Sequence, residues 1–146
     1  MVYRMEIYVD GGCRGNGQPD AIGTAAAVFA GQYGGLEGFT KVLPQHPAPT
    51  NQRAEITAII IALAHAIAKA NGLDARNPRC VQWIYKWTQN GWTNAAGFEV
   101  ANRDLVEQAV DLDGRLKELG TVRYTWIPRS ENEVADRLCN EVMDNL

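Results

Sequence analysis

Apolar residues alternate near the start of the chain, with Met5, Ile7 and Val9 on one face, which predicts a strand over residues 4–9. Asp10 ends that strand and is followed at once by a glycine-rich turn, Gly11-Gly12-Cys13-Arg14-Gly15-Asn16-Gly17. Residues 22–29 read as a second strand whose small side chains permit close packing, Gly31 to Gly35 as a turn, and residues 38–43 as a third strand. The three form an antiparallel meander. The proline-rich loop 44–49 stops the sheet, and Thr50 or Asn51 caps a long Ala- and Ile-rich helix from Gln52 to about Ala70, ending near Gly72. A second helix is expected over 102–119, capped by Asn102, with Leu105, Ala109, Leu112, Leu116 and Leu119 as its apolar stripe. Residues 121–127 alternate again as a strand. Ser130-Glu131-Asn132-Glu133 reads as a capping box that opens the last helix, whose stripe is Val134, Ala135, Leu138, Cys139 and Val142.

The order is βββ-α-(?)-α-β-α, with residues 72–92 unassigned. It describes an α/β fold in which helices flank a mixed sheet. The length of 146 residues suits one domain, 1–146. A net charge of −3 gives no general pull on nucleic acid, so any phosphate contact must be local. Cys13, Cys80 and Cys139 are odd in number and lack metal-type spacing, so they read as free thiols in a reducing, intracellular compartment, cytoplasm or nucleus. No hydrophobic run reaches membrane-spanning length and the N-terminus has no signal-peptide pattern, so no membrane partner is expected.

Three acids from distant elements carry the chemistry: Asp10 after a strand, Glu55 near the start of the long helix, and Asp136 near the start of the last one. Singly, each has an ordinary explanation, as a turn former, a helix-dipole partner or a solvated side chain. Together they make a hard-oxygen site for a divalent cation. The glycines after Asp10 do not make a dinucleotide loop, because a strand follows them where that fingerprint needs a helix.

The chain resembles a type 1 ribonuclease H, of the short-loop fungal type. The likeness is carried by Tyr8-Val9-Asp10-Gly11-Gly12-Cys13-Arg14-Gly15-Asn16-Gly17, by Thr50-Asn51-Gln52-Arg53-Ala54-Glu55, by Trp83-Ile84-Tyr85-Lys86-Trp87 with Asn90-Gly91-Trp92, and by Glu131-Asn132-Glu133-Val134-Ala135-Asp136. The resemblance implies an RNase H-like mixed sheet and an endonuclease cutting the RNA strand of RNA–DNA hybrids with two Mg²⁺ or Mn²⁺ ions. It makes Asp10, Glu55 and Asp136 catalytic metal ligands. It places Gly11, Cys13, Asn16, Asn51, Gln52 and Asn132 against the substrate, with the minor-groove 2′-hydroxyls read by Cys13, Asn16, Asn51 and Gln52. Trp83, Trp87 and Trp92 would meet the DNA backbone.

Two features depart from that family. Its fourth carboxylate, an Asp before Ser at the end of a strand after the long helix, has no counterpart; between Glu55 and Glu99 the single acid is Asp74, in a polar turn. About ten residues seem absent between Pro78 and Val81. Asp74 could be recruited, Cys80–Tyr85 could be redrawn as a replacement strand, or a second chain could complete the sheet by strand exchange as a homodimer. The other departure is the loop before Asp136, which has no histidine; Arg129 is the candidate phosphate contact there. The alternative to an active nuclease is a catalytically dead module of the same ancestry that binds hybrid or double-stranded nucleic acid, or a protein.

Overall fold

The computed structural model describes residues 3–16, 18–30, 35–46, 48–72, 81–87 and 102–146. Five strands form one mixed sheet: β1 (Tyr3–Arg14), β2 (Ile22–Ala30), β3 (Leu36–Val42), β4 (Val81–Trp87) and β5 (Thr121–Trp126). Their order across the sheet is β3-β2-β1-β4-β5, with β1, β2 and β3 antiparallel and β4 parallel to both β1 and β5. The helices are α1 (Asn51–Gly72), α2 (Arg103–Lys117) and α3 (Glu133–Asp144).

Alternation along β1 and β2 assigns the two faces. Ile7, Val9, Ala25, Ala27 and Phe29 join Ala54, Ala58, Ile59, Ala62, Leu63 and Ala66 of α1 in the larger core. Ala26 and Val28 face the other way and meet Ala135, Cys139 and Met143 of α3. The alanines of α1 and β2 have no bulk beyond Cβ, so helix and sheet backbones approach closely. α2 packs on α1 through Ile56, Val106 and Ala109, and closes that layer.

β1 runs further than its alternation predicts. Gly11 to Arg14 stay extended and paired with β2, down to Arg14 opposite Ile22, so the turn begins only at Gly15, whose φ is +74°. Two-sided pairing does end where expected: Val9 opposite Trp87 is the last pair between β1 and β4. Asp10 therefore leaves the central part of the sheet at the carboxyl ends of its parallel strands, the usual place for ligands in α/β sheets.

β4 is the replacement strand drawn from residues 80–85. Its central position removes the ground for expecting a second chain to complete the sheet. The strand fits imperfectly. Trp83 and Tyr85 are fully buried, yet Trp83 Nε1 and the Tyr85 hydroxyl have no hydrogen-bond partner. Each such donor costs ~1–3 kcal/mol. Trp83 is thus a core residue, and its expected contact with a DNA backbone is corrected: mid-sheet burial between β1 and β5 overrides any surface role. Trp87 is the last residue of β4, while Trp92 and Asp74 lie outside the described residues.

Candidate active site

β1 positions Asp10 by burying its neighbours on one face and leaving the carboxyl on the other. Asp10 is only 7% exposed. The last helix brings Asp136 to it, and the two carboxyls share a hydrogen bond. Burial, then the negative charge of Asp136 and that hydrogen bond, push the Asp10 carboxyl up to about 7 from an ordinary 3.8. Glu55, from the opposite layer, is pushed up to about 7 by burial and by the charge of Asp10. Three acids from a strand and two helices therefore meet around Asp10. Among the described residues no three acid, His or Cys side chains are drawn into a closed cage, and β4 contributes no acid. The donors nonetheless fit a hard divalent cation: they are anionic oxygens, and their mutual repulsion is what a cation would relieve.

The elements are held in place by side chains whose roles the sequence did not show. Thr50 caps α1, its hydroxyl accepting from the Arg53 amide at 3.1 Å. Arg53 is buried and forks onto Asp104 at 2.9 and 3.2 Å, with a third bond to Asn102 Oδ1 at 3.3 Å. It thereby ties the first turn of α1, where Glu55 sits, to the start of α2. Asn102 is consequently not the expected cap: its side chain serves Arg53 and makes no cap bond. Only an arginine between two motif residues, Gln52 and Glu55, hinted at this clamp.

The capping box at Ser130–Glu133 does not form either. Arg129–Glu131 make a short 3₁₀ turn, and Asn132 turns its amide inward to donate to the Val9 carbonyl at 2.9 Å. Asn132 is 2% exposed, so its expected contact with substrate is corrected to a rivet between the turn and β1. Removing it should matter: Asn132→Ala should lower stability by about 2 kcal/mol, because the buried Val9 carbonyl loses its donor. Chemical denaturation would show the loss; an unchanged midpoint would mean the rivet contributes nothing.

Gly11 is also not a substrate contact. It is buried, facing the backbone of Ala54 and Glu55, and its role is to let α1 lie directly on β1. The other predicted substrate residues stay together at the surface. Asn16 Oδ1 accepts from the Asn51 amide at 2.7 Å, Gln52 is exposed beside it, and the half-buried Cys13 donates to the Pro49 carbonyl at 3.4 Å. Arg129 is exposed and lies 3.9 Å from Asp136 Oδ1. Beneath Asp10, Cys139 donates to the Asp10 carbonyl at 3.5 Å. Burial, then the charge of Asp10, push its thiol up to about 12, which leaves it inert at neutral pH.

This arrangement has close counterparts. A family model for RNase H matches residues 3–144. A ribonuclease H of Acidithiobacillus ferrooxidans is 35% identical over 150 residues, covering 96% of this chain and 87% of the relative. The fold is similar to that of RNase H1 from the halophilic archaeon Halobacterium salinarum, with a TM-score of 0.74 at 23% identity over 98% of this chain and 99% of that one. It also matches 20% of a foamy viral protease-reverse transcriptase in complex with RNA/DNA hybrid, with a TM-score of 0.61 at 17% identity over 95% of this chain.

Proposed function

The chain belongs to the RNase H family, and from that premise we propose that it hydrolyses the RNA strand of RNA–DNA hybrids at the cluster centred on Asp10. The observation that carries this is the convergence of Asp10, Glu55 and Asp136, with two of the three pushed toward neutrality by burial and each other's charge. Members of this family use divalent metal. Here Asp10, Glu55 and Asp136 would hold it, as Mg²⁺ or Mn²⁺, and when bound it supplies Lewis-acid activation of water and stabilises charge on the leaving oxygen.

The remaining work falls to the chain itself. Asp10 is fixed by the sheet, so its carboxyl keeps its direction while a substrate is bound. Burial of the acids excludes bulk water and strengthens their hold on positive charge. Asn16, Asn51 and Gln52 present amide groups at one exposed edge, suited to reading 2′-hydroxyls and ribose oxygens in a shallow minor groove. Cys13 lies beside them. No nucleophilic side chain is required, and Cys139 is too buried and too high in pKa to act as one. The free thiols of Cys13 and Cys139 support action inside the cell, while the bacterial relatives give no support to the nucleus. Among the described residues no helix is long and apolar enough to cross a membrane.

A labelled RNA–DNA hybrid tests this. With Mg²⁺ or Mn²⁺ present, the RNA strand should be cut to products ending in 3′-hydroxyl, and EDTA should abolish cutting. Hybrid binding without any cleavage in either metal would instead select the catalytically dead module.

A further inference from the structure

We propose that the cluster takes a single divalent cation and that the Arg129 guanidinium supplies the second positive charge of the site, beside Asp136 and open to a substrate phosphate. This deepens the hydrolase reading and rests on it. Three carboxylates meet at the site, and β4, which runs beside Asp10, brings no fourth. One divalent ion together with one guanidinium balances three carboxylates. A second divalent ion would leave the centre with two excess positive charges before any substrate arrived.

The position of Arg129 is built. Its turn is closed by the Glu131 amide donating to the Pro128 carbonyl at 2.9 Å and the Asn132 amide donating to the Arg129 carbonyl at 3.0 Å. The Asn132 side chain then fastens the turn to β1 at Val9, next to Asp10, at 2.9 Å. From there Nη2 reaches to 3.9 Å from Asp136 Oδ1, and its charge also acts on Asp10, against that of Asp136. The side chain is 76% exposed, so the ion pair itself stabilises the fold little. That exposure leaves guanidinium N–H donors free for phosphate oxygens, to which the planar fork is matched.

Counting Mn²⁺ bound to the protein tests the idea without reference to turnover. Bound ion would be measured by electron paramagnetic resonance, with a hybrid made uncleavable by 2′-O-methylation. The unaltered protein should hold one Mn²⁺ per chain at saturation. Arg129→Gln should hold two, and should bind the first about threefold to fivefold more tightly, as expected when an exposed competing cation is removed. Arg129→Lys should restore the count of one. In cleavage of an ordinary hybrid, the order in Mn²⁺ should rise from about one to about two in Arg129→Gln. Two ions in the unaltered protein, or one ion with unchanged affinity in Arg129→Gln, overturns the proposal. Absence of cleavage in every form would overturn the hydrolase reading instead, while the ion count would still decide the role of Arg129.

Discussion

Asp10→Asn should lose hybrid cleavage by about three orders of magnitude or more, and the metal-free variant should be more stable than the unaltered protein. Both effects come from one charge. Asp10 is the acid to which the other two couple, so its loss removes the shared anionic ligand. Three orders of magnitude correspond to about 4 kcal/mol of transition-state stabilisation, within the several kcal/mol that a positioned metal supplies. The stability effect has the opposite sign. A buried carboxyl whose pKa rises from 3.8 to about 7 on folding binds its proton more tightly in the folded state. Its contribution is therefore most favourable at low pH. It is lost progressively as pH rises from about 4 to about 7, because the folded protein must then carry a charge it opposes.

Asparagine keeps the shape and removes that penalty. At pH 8 and without metal, Asp10→Asn should gain about 2 kcal/mol, and at pH 4 almost nothing, since Asp10 is then protonated in both states. Saturating Mn²⁺ should narrow or reverse the difference at pH 8, because the ion stabilises only the form that binds it. Thermal unfolding at the two pH values, with and without Mn²⁺, gives all the comparisons. A variant less stable than its parent at pH 8 in EDTA would contradict the crowding of acids around Asp10.

Much of this arrangement was legible from local pattern. The meander, the long helix and the final strand and helix follow from alternation at Met5, Ile7 and Val9, from the Ala- and Ile-rich run after Thr50, and from the stripe through Ala135 and Cys139. The misses share a cause. Asn102 and Asn132 have cap-forming side chains at cap positions, but tertiary partners outbid the helix ends: Arg53 claims one and the Val9 carbonyl the other. Gly11 to Arg14 look like a turn because glycines usually break strands, whereas here β2 supplies a full set of pairing partners. Trp83 sits in a segment whose alternation is that of a strand. The family likeness assigned it to a surface, and the vacancy beside β1 decided in favour of the strand. Which acids meet depended on knowing that sheet order puts β1 in the middle, and no local pattern encodes that.

The same point explains why Gly11→Ala should be among the most damaging single-methyl changes available to this chain. A Cβ on Gly11 would fall inside the contact distance of the Ala54 carbonyl carbon and oxygen and of the Glu55 amide nitrogen. All three are backbone atoms of the first turns of α1, so no side-chain rotation relieves the overlap. Either β1 or α1 must shift. Ala54, Ala58, Ile59, Ala62 and Leu63 pack against β1 and β2 in the same core, so the displacement spreads through well-packed contacts. A loss of about 3 kcal/mol or more is expected.

Function should fall further than stability alone requires, because Glu55 is carried on the displaced turn; a misplacement of about 1 Å can cost ~10²-fold in rate. Two other glycines act as controls. At Gly12 the added Cβ meets the flexible end of Met143 at 3.2 Å, so Gly12→Ala should cost under about 1 kcal/mol. Gly114 lies inside α2 with nothing within 4 Å of an added Cβ, so Gly114→Ala should stabilise by up to ~1 kcal/mol through helix propensity alone. Denaturation midpoints should therefore rank Gly114→Ala first, Gly12→Ala next and Gly11→Ala last. A Gly11→Ala protein that unfolds like its parent would mean α1 does not rest on β1 at this point, and the convergence of Glu55 on Asp10 would lose its structural basis.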